Sequence, residues 1–176
     1  MLRRAAKNLD DSLRHFDQSP PGLAQEFLEL KLQASIFQYD VCYEMVGYLR
    51  SRSTGFAASV ALKGLVLRLY EYDDLINTHQ IPRLLALAKA RGIPYNRDSV
   101  KAARAQWKAE LERLKRWKDV RNQAAGHYGK DLKKQVALLR ELNEEDVMTV
   151  TRAFLSFNMS LLVGLRDAGQ GVARDA

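Results

Sequence analysis

Gly55-Phe56-Ala57-Ala58-Ser59-Val60-Ala61-Leu62-Lys63-Gly64-Leu65-Val66-Leu67-Arg68-Leu69-Tyr70 is apolar around most of a helical circumference, with only a narrow polar strip. Such a helix must be covered on nearly every side, so residues 55 to about 77 are expected to form the central helix of an all-helical assembly. Upstream, Leu23, Phe27, Leu30, Ala34, Phe37, Val41, Met45 and Tyr48 step by three or four and line one face of a helix from about Gly22 to Arg50. Ser51-Arg52-Ser53-Thr54-Gly55 reads as the turn between the two, with Ser53 or Thr54 as N-cap.

Downstream, a minor helix follows Ile81-Pro82, covers Arg83 to Arg91 and stops at Gly92-Ile93-Pro94. Asp98 or Ser99 is the expected cap of a helix reaching about Asn122, with Val100, Ala103, Trp107, Leu111 and Leu114 as its seam. Gly126 and Gly129 mark where that helix must loosen. The last long helix starts at an Asn143 cap with Glu144, Glu145 and Asp146 in its positive first turn. Its buried side is expected to be Val147, Val150, Phe154, Phe157, Leu161 and Leu165.

A short amphipathic segment over residues 2 to 16 ends before Ser19-Pro20-Pro21, a firm helix break. The expected organisation is an N-terminal helical extension over 1–20, one all-α bundle of four to five main helices over 21–168, and a flexible tail over 169–176. Neither a repeat nor a linker divides the bundle.

Composition agrees with this class. Apolar residues make up 47% of the 176, a globular level, and 10 Gly with 4 Pro are too few for a turn-rich β protein. The formal charge of +7 either marks a polyanionic partner or is incidental. Cys42 is the single cysteine, which excludes an intrachain disulfide and argues against a thiolate zinc site. It reads as a packing residue. The basic N-terminus lacks the apolar run of a secretory signal, and no uncharged apolar stretch is read as a membrane span. A cytoplasmic protein with no membrane partner is the simplest expectation. No phosphate-binding or dinucleotide loop and no Gly-x-Ser-x-Gly is present, which argues against nucleotide hydrolysis and esterase chemistry. No cofactor is expected.

The candidate site is Lys118-Asp119-Val120-Arg121-Asn122-Gln123-Ala124-Ala125-Gly126-His127-Tyr128-Gly129. Arg121 falls seven residues after Leu114, two helical turns on, and so is expected to continue the buried stripe. It then either pairs with a carboxylate inside the bundle or faces a cleft where an anion binds. A break at Gly126 would let His127 turn towards the same point. An arginine holding a phosphate beside an imidazole moving a proton is a minimal kit for cutting a phosphodiester. The bland alternative is a His127 favoured by a helix C-terminus and an Arg121 paired internally.

Arg121, a five-residue gap and His127, on the penultimate long helix of a basic bundle, resemble the motif of the HEPN superfamily. The layout of residues 22 to 168 is similar to HEPN proteins of the abortive-infection and toxin branch. That resemblance implies a homodimer whose two motifs share a composite cleft. It also implies a metal-independent endoribonuclease, acting as a toxin or phage-defence effector, in which a ribose 2′-OH attacks the adjacent phosphate. By motif position His127 would be the general acid/base, Arg121 the phosphate stabiliser, and Asn122 an orienting residue. Some HEPN toxins carry a tyrosine two positions after the histidine that a partner nucleotidyltransferase modifies. Tyr128, which follows the histidine directly here, is the residue the resemblance offers for such a modification, one position earlier than in those toxins. An antitoxin or nucleotidyltransferase is the implied protein partner.

Arg116, Lys118, Tyr128 and Lys130 are the candidate RNA contacts, with Trp117 or Tyr128 able to stack bases. The rest of the basic helix, including Lys101, Arg104, Lys108, Arg113 and Lys115, reads equally as a solvated face. Lys108/Glu112 and Glu112/Arg116 would there form i,i+4 pairs. Asp73 and Asp74 are candidate partners of Arg121 or His127, or a solvated helix end; no metal site is expected from them. His15 and His79 read as surface residues. The competing function is a non-catalytic basic helical module that binds nucleic acid or a protein partner. A protein-only scaffold is the weaker third reading.

Overall fold

The computed structural model describes residues 1–125 and 131–175, with residues 124, 125 and 172–175 described by their backbone alone. Every regular element among them is helical, in the order α1 (Leu2–Gln18), α2 (Leu23–Ser51), α3 (Gly55–Leu75), α4 (Ile81–Ala90), α5 (Arg97–Ala105), α6 (Lys108–Arg116), α7 (Leu132–Arg140) and α8 (Glu144–Asp175). Two π-helical turns, Ile76–Gln80 and Val120–Ala125, follow α3 and precede α7. The all-α class is therefore as expected.

The core lies between α2, α3 and α8. Leu30, Ala34, Phe37, Val41, Met45 and Tyr48 of α2 are all buried, as the period-3.6 stripe requires. From α8 come Val147, Val150, Phe154, Phe157, Leu161 and Leu165, also buried. Phe37 stacks on Tyr72 with ring centroids 3.6 Å apart, and Phe154 meets both rings edge-on at 5.8 and 6.2 Å. The buried Tyr72 hydroxyl donates to Asn158 Oδ1 at 3.2 Å and accepts from Gln80 Nε2 at 2.9 Å. The π turn after α3 places Gln80 inside the protein, where Tyr72 satisfies its amide.

α1 packs on α2 through buried Ala5 and a hydroxyl pair, Ser12 Oγ to Ser35 Oγ at 2.9 Å. Asn143 caps α8 as expected, its Oδ1 accepting from the Asp146 N–H at 3.1 Å.

Several expectations need correction. Phe56 and Val60 are exposed, because nothing among the described residues covers the outer side of the α2–α3 hairpin tip; Leu49 is exposed beside them. Only from Leu62 onward is α3 the buried central helix. α4 begins at Ile81, with Pro82 in its first turn, where a missing N–H costs nothing. Asn96 caps α5, ahead of the expected Asp98 or Ser99. The single helix expected up to Asn122 is interrupted at Gln106–Trp107 and again at Trp117. α8 continues to Asp175, past the Gly169 where the sequence reading ends it. The same helix also holds a stretch long and apolar enough to cross a membrane, within Glu144–Gly171, which the sequence reading passed over. Of that stretch 56% is buried inside the protein, so its apolar side is used as core.

Candidate functional site

The chain reaches the site by way of α5 and α6. Asn96 Oδ1 accepts the N–H groups of Asp98 (2.9 Å) and Ser99 (3.2 Å), and Ser99 Oγ accepts the Asn96 N–H at 3.2 Å. This reciprocal box fixes where α5 starts. Just before it the buried Tyr95 ring lies on the backbone of α8: a Cβ at Gly164 would sit 3.0 Å from Tyr95 Cε2. α6 ends in a tight turn in which the Trp117 N–H bonds the Leu114 carbonyl at 3.0 Å. The Tyr70 hydroxyl of α3 donates to that same carbonyl at 2.6 Å. Leu114 O therefore accepts two hydrogen bonds, and the end of α6 is pinned to the central helix.

Beyond this pin the π turn Val120–Ala125 packs against α3 and α7. Val120 is buried and Arg121 is exposed, which corrects the expectation that Arg121 continues the Leu114 face. The physical reason is the i→i−3 bond at Trp117. It overtwists the chain, so the inward direction arrives at Val120, one residue early. Arg121 Nη1 donates to Asn122 Oδ1 at 3.0 Å, and both side chains face outward. Arg121 thus makes no pair with Asp73 or Asp74. Asp73 instead accepts from Asn77 Nδ2 at 3.0 Å and lies in the fields of Arg104 and Lys115, while burial holds its carboxyl above the usual range. The charge of Arg121 nonetheless acts at Tyr70. Burial, with Asp73 and Asp119, pushes that phenol up to about 12, and Arg121 opposes the shift.

Arg116 and Lys118 are exposed at the same end of the rod. Trp117 is half-buried and packs against the core. Trp107 also packs against the core, as expected for it. His15 and His79 are at the surface. His127, Tyr128 and Lys130 lie outside the described residues. The expected pairs Lys108/Glu112 and Glu112/Arg116 do not form among the described residues. Arg113 instead reaches Asp146 at 2.8 Å and ties α6 to α8. Among the described residues no group of three His, Cys, Asp or Glu is placed to hold a metal ion.

Sequence reasoning missed Tyr70 as the residue that positions the turn, having counted it with the apolar face of α3. Its signal was a hydroxyl at the end of an otherwise apolar run, since a buried phenol needs a partner. It also missed Arg104. That guanidinium donates from Nη2 to Asn77 Oδ1 at 2.6 Å and stands 5.2 Å from the Phe157 ring centroid. Nothing in the spacing of α5 distinguishes Arg104 from its neighbouring cations.

Fold and geometry define an all-α protein with an exposed arginine on an irregular turn at the end of a basic helical rod. No protein family, curated protein or solved structure matches the chain.

Proposed function

We propose that the protein is a metal-independent endoribonuclease of the HEPN kind, acting as a toxin or defence effector. The observation that carries this reading is Arg121. Its guanidinium is exposed on a π turn and spends one of its five donors on Asn122, leaving the rest for a phosphate. π turns inside helical segments are frequent at functional sites. His127 follows six residues later in the chain, and Arg116 and Lys118 add positive charge shortly before Arg121.

In the proposed reaction the ribose 2′-oxygen attacks the adjacent phosphorus and the P–O5′ bond breaks, leaving a 2′,3′-cyclic phosphate and a free 5′-hydroxyl. His127 acts as general acid/base on the 2′-OH proton and the 5′-oxygen. Arg121 stabilises the charge that builds on the phosphoryl oxygens. A homodimer would set two such motifs at one cleft. Ile36 and Tyr43, 46% and 61% exposed on α2, supply apolar surface that a second copy can cover. An antitoxin would restrain the activity.

The test is cleavage of total RNA and tRNA in excess EDTA. The wild-type protein should cut RNA and leave DNA, which lacks the 2′-OH, intact. His127→Ala should lower the rate by about 10²–10⁴-fold and Arg121→Ala by about 10²–10³-fold, both variants remaining folded. Cleavage that survives both substitutions, or that EDTA abolishes, overturns the reading. Salt-dependent RNA binding with no cleavage would favour the non-catalytic basic module.

A further inference from the structure

The exposed side of α5 and α6 carries a trough that the Arg121 site does not account for. A cavity of about 270 Å³ opens there, lined by Lys101, Arg104, Lys108 and Lys115 with Asp73 and Glu112. The cations stand at intervals of three, four and seven residues, and despite the break at Gln106–Trp107 they line one depression. Arg104 is planted in its floor by Asn77 and the Phe157 ring. Lys108 and Lys115 are exposed, and among the described residues neither closes an ion pair. Lys101 does pair with Asp98 at 3.0 Å, but both groups are so exposed that the bond is easily exchanged. Asp73 and Glu112 are the carboxylates among its lining residues, against four cations.

A wider depression of about 750 Å³ adjoins this trough, shares Lys101 with it, and adds Lys89 and Arg97. From the other end, Lys118 lies three residues beyond Lys115, and Arg121 three beyond that. Cations therefore recur along the chain from Arg97 to the π turn, with the turn at Trp117 falling between Lys115 and Lys118. A single row of spaced cations suits the phosphates of one strand, whereas a duplex presents two. The trough is open and its cations do not converge on one point, which suits a polymer better than a mononucleotide. Leu111 and Ala105 give it an apolar strip against which bases can lie.

We propose that this trough binds consecutive phosphates of a single-stranded RNA and leads the strand past Lys115 to Arg121. The proposal rests on the ribonuclease reading for its choice of RNA, and the binding experiment is independent of cleavage. A fluorescein-labelled 12-nucleotide oligouridine is titrated in anisotropy with the full chain carrying His127→Ala, across a range of salt concentrations. Adding Lys108→Gln and Lys115→Gln should weaken binding about tenfold near 0.1 M salt. It should also flatten the log–log salt dependence by about 1.4, at about 0.7 per phosphate contact on a single strand. Arg3→Gln with Arg4→Gln removes the same charge from exposed positions on α1, which packs on α2, and should change neither quantity.

The trough is overturned if the parent does not bind the oligomer, or if the two double variants weaken binding equally. It is also overturned if the Lys108/Lys115 variant binds like its parent, or if a 12-base-pair RNA duplex binds more tightly than the single strand. Wild-type cleavage in EDTA alongside any of these results leaves the ribonuclease reading standing without the trough. The expected loss of binding in a protein that cuts nothing leaves the trough standing without the chemistry.

Discussion

The core helix α8 and the rod of α5, α6 and the following π turn are built on opposite terms. Between Val147 and Leu165, α8 gives the interior Val147, Val150, Phe154, Phe157, Leu161 and Leu165, in an unbroken helix. Between Arg97 and Val120 the rod fully buries only Val100, Leu114 and Val120, with both indoles packed partway against the core, and it breaks twice. A helix with a dense apolar stripe is held to its period by packing at every turn. A helix with sparse anchors is held at a few points, and the chain between them is free to tighten or widen. Elements that bind and react are drawn from such regions, where local deviation costs less.

The sharpest test of this contrast compares the two kinds of anchor. Phe154→Ala removes a fully buried ring that contacts Phe37, Tyr72 and Phe157, and should cost about 3–5 kcal/mol in urea unfolding. Val120→Ala removes two methyl groups from a buried residue of the π turn, and should cost about 2 kcal/mol. The proposed cleavage should respond in the reverse sense. Val120→Ala should reduce it at temperatures where the protein is still folded, whereas Phe154→Ala should reduce it only in step with the folded fraction. Equal stability losses, or unimpaired cleavage by Val120→Ala, would break the distinction between core and rod.

The same contrast explains what the sequence disclosed. The stripe of α2 and the buried face of α8 were legible because packing enforces a regular period, and the Asn143 cap was legible because its chemistry is local. Asn96 was misjudged by two or three residues, although an oxygen three positions before Ser99 was in plain view. The breaks at Trp107 and Trp117 were not legible at all. Neither has the Gly or Pro that marks a break, and both indoles are drawn to the core from a helix too polar to dictate its own rotation. That hidden overtwist put Val120 inside and Arg121 outside, against the heptad count. Phe56 and Val60 show the complementary limit: an apolar side chain says what it prefers and not whether a neighbour reaches it.

A smaller effect follows from the pin between the two regions. Tyr70→Phe deletes the 2.6 Å hydrogen bond to the Leu114 carbonyl, which keeps its bond from the Trp117 N–H. No acceptor is orphaned, so the stability loss should be about 1 kcal/mol. For the proposed cleavage, the loss in kcat should exceed what that figure implies, with KM little changed, because the turn carrying Arg121 loses its register on α3. A Tyr70→Phe protein whose kcat matches the wild type would show that the π turn is positioned by Val120 alone.

The smallest effect belongs to the core side, where Arg83 of α4 holds Glu29 of α2 through both carboxylate oxygens, at 3.1 and 2.7 Å. The guanidinium keeps the Glu29 carboxyl below its usual range. Because the folded pKa lies below the unfolded one, the pair stabilises the protein above the unfolded pKa of about 4.3. That stabilisation fades as pH falls through the lower folded value, where the folded carboxyl also takes a proton. Glu29 is 43% exposed, so solvent screens the pair and Glu29→Gln should cost no more than about 1 kcal/mol at pH 7. The cost should shrink in 1 M salt and vanish in urea melts taken near pH 2. A larger loss that persists at low pH would mean that Glu29 holds α2 to α4 by packing rather than by charge.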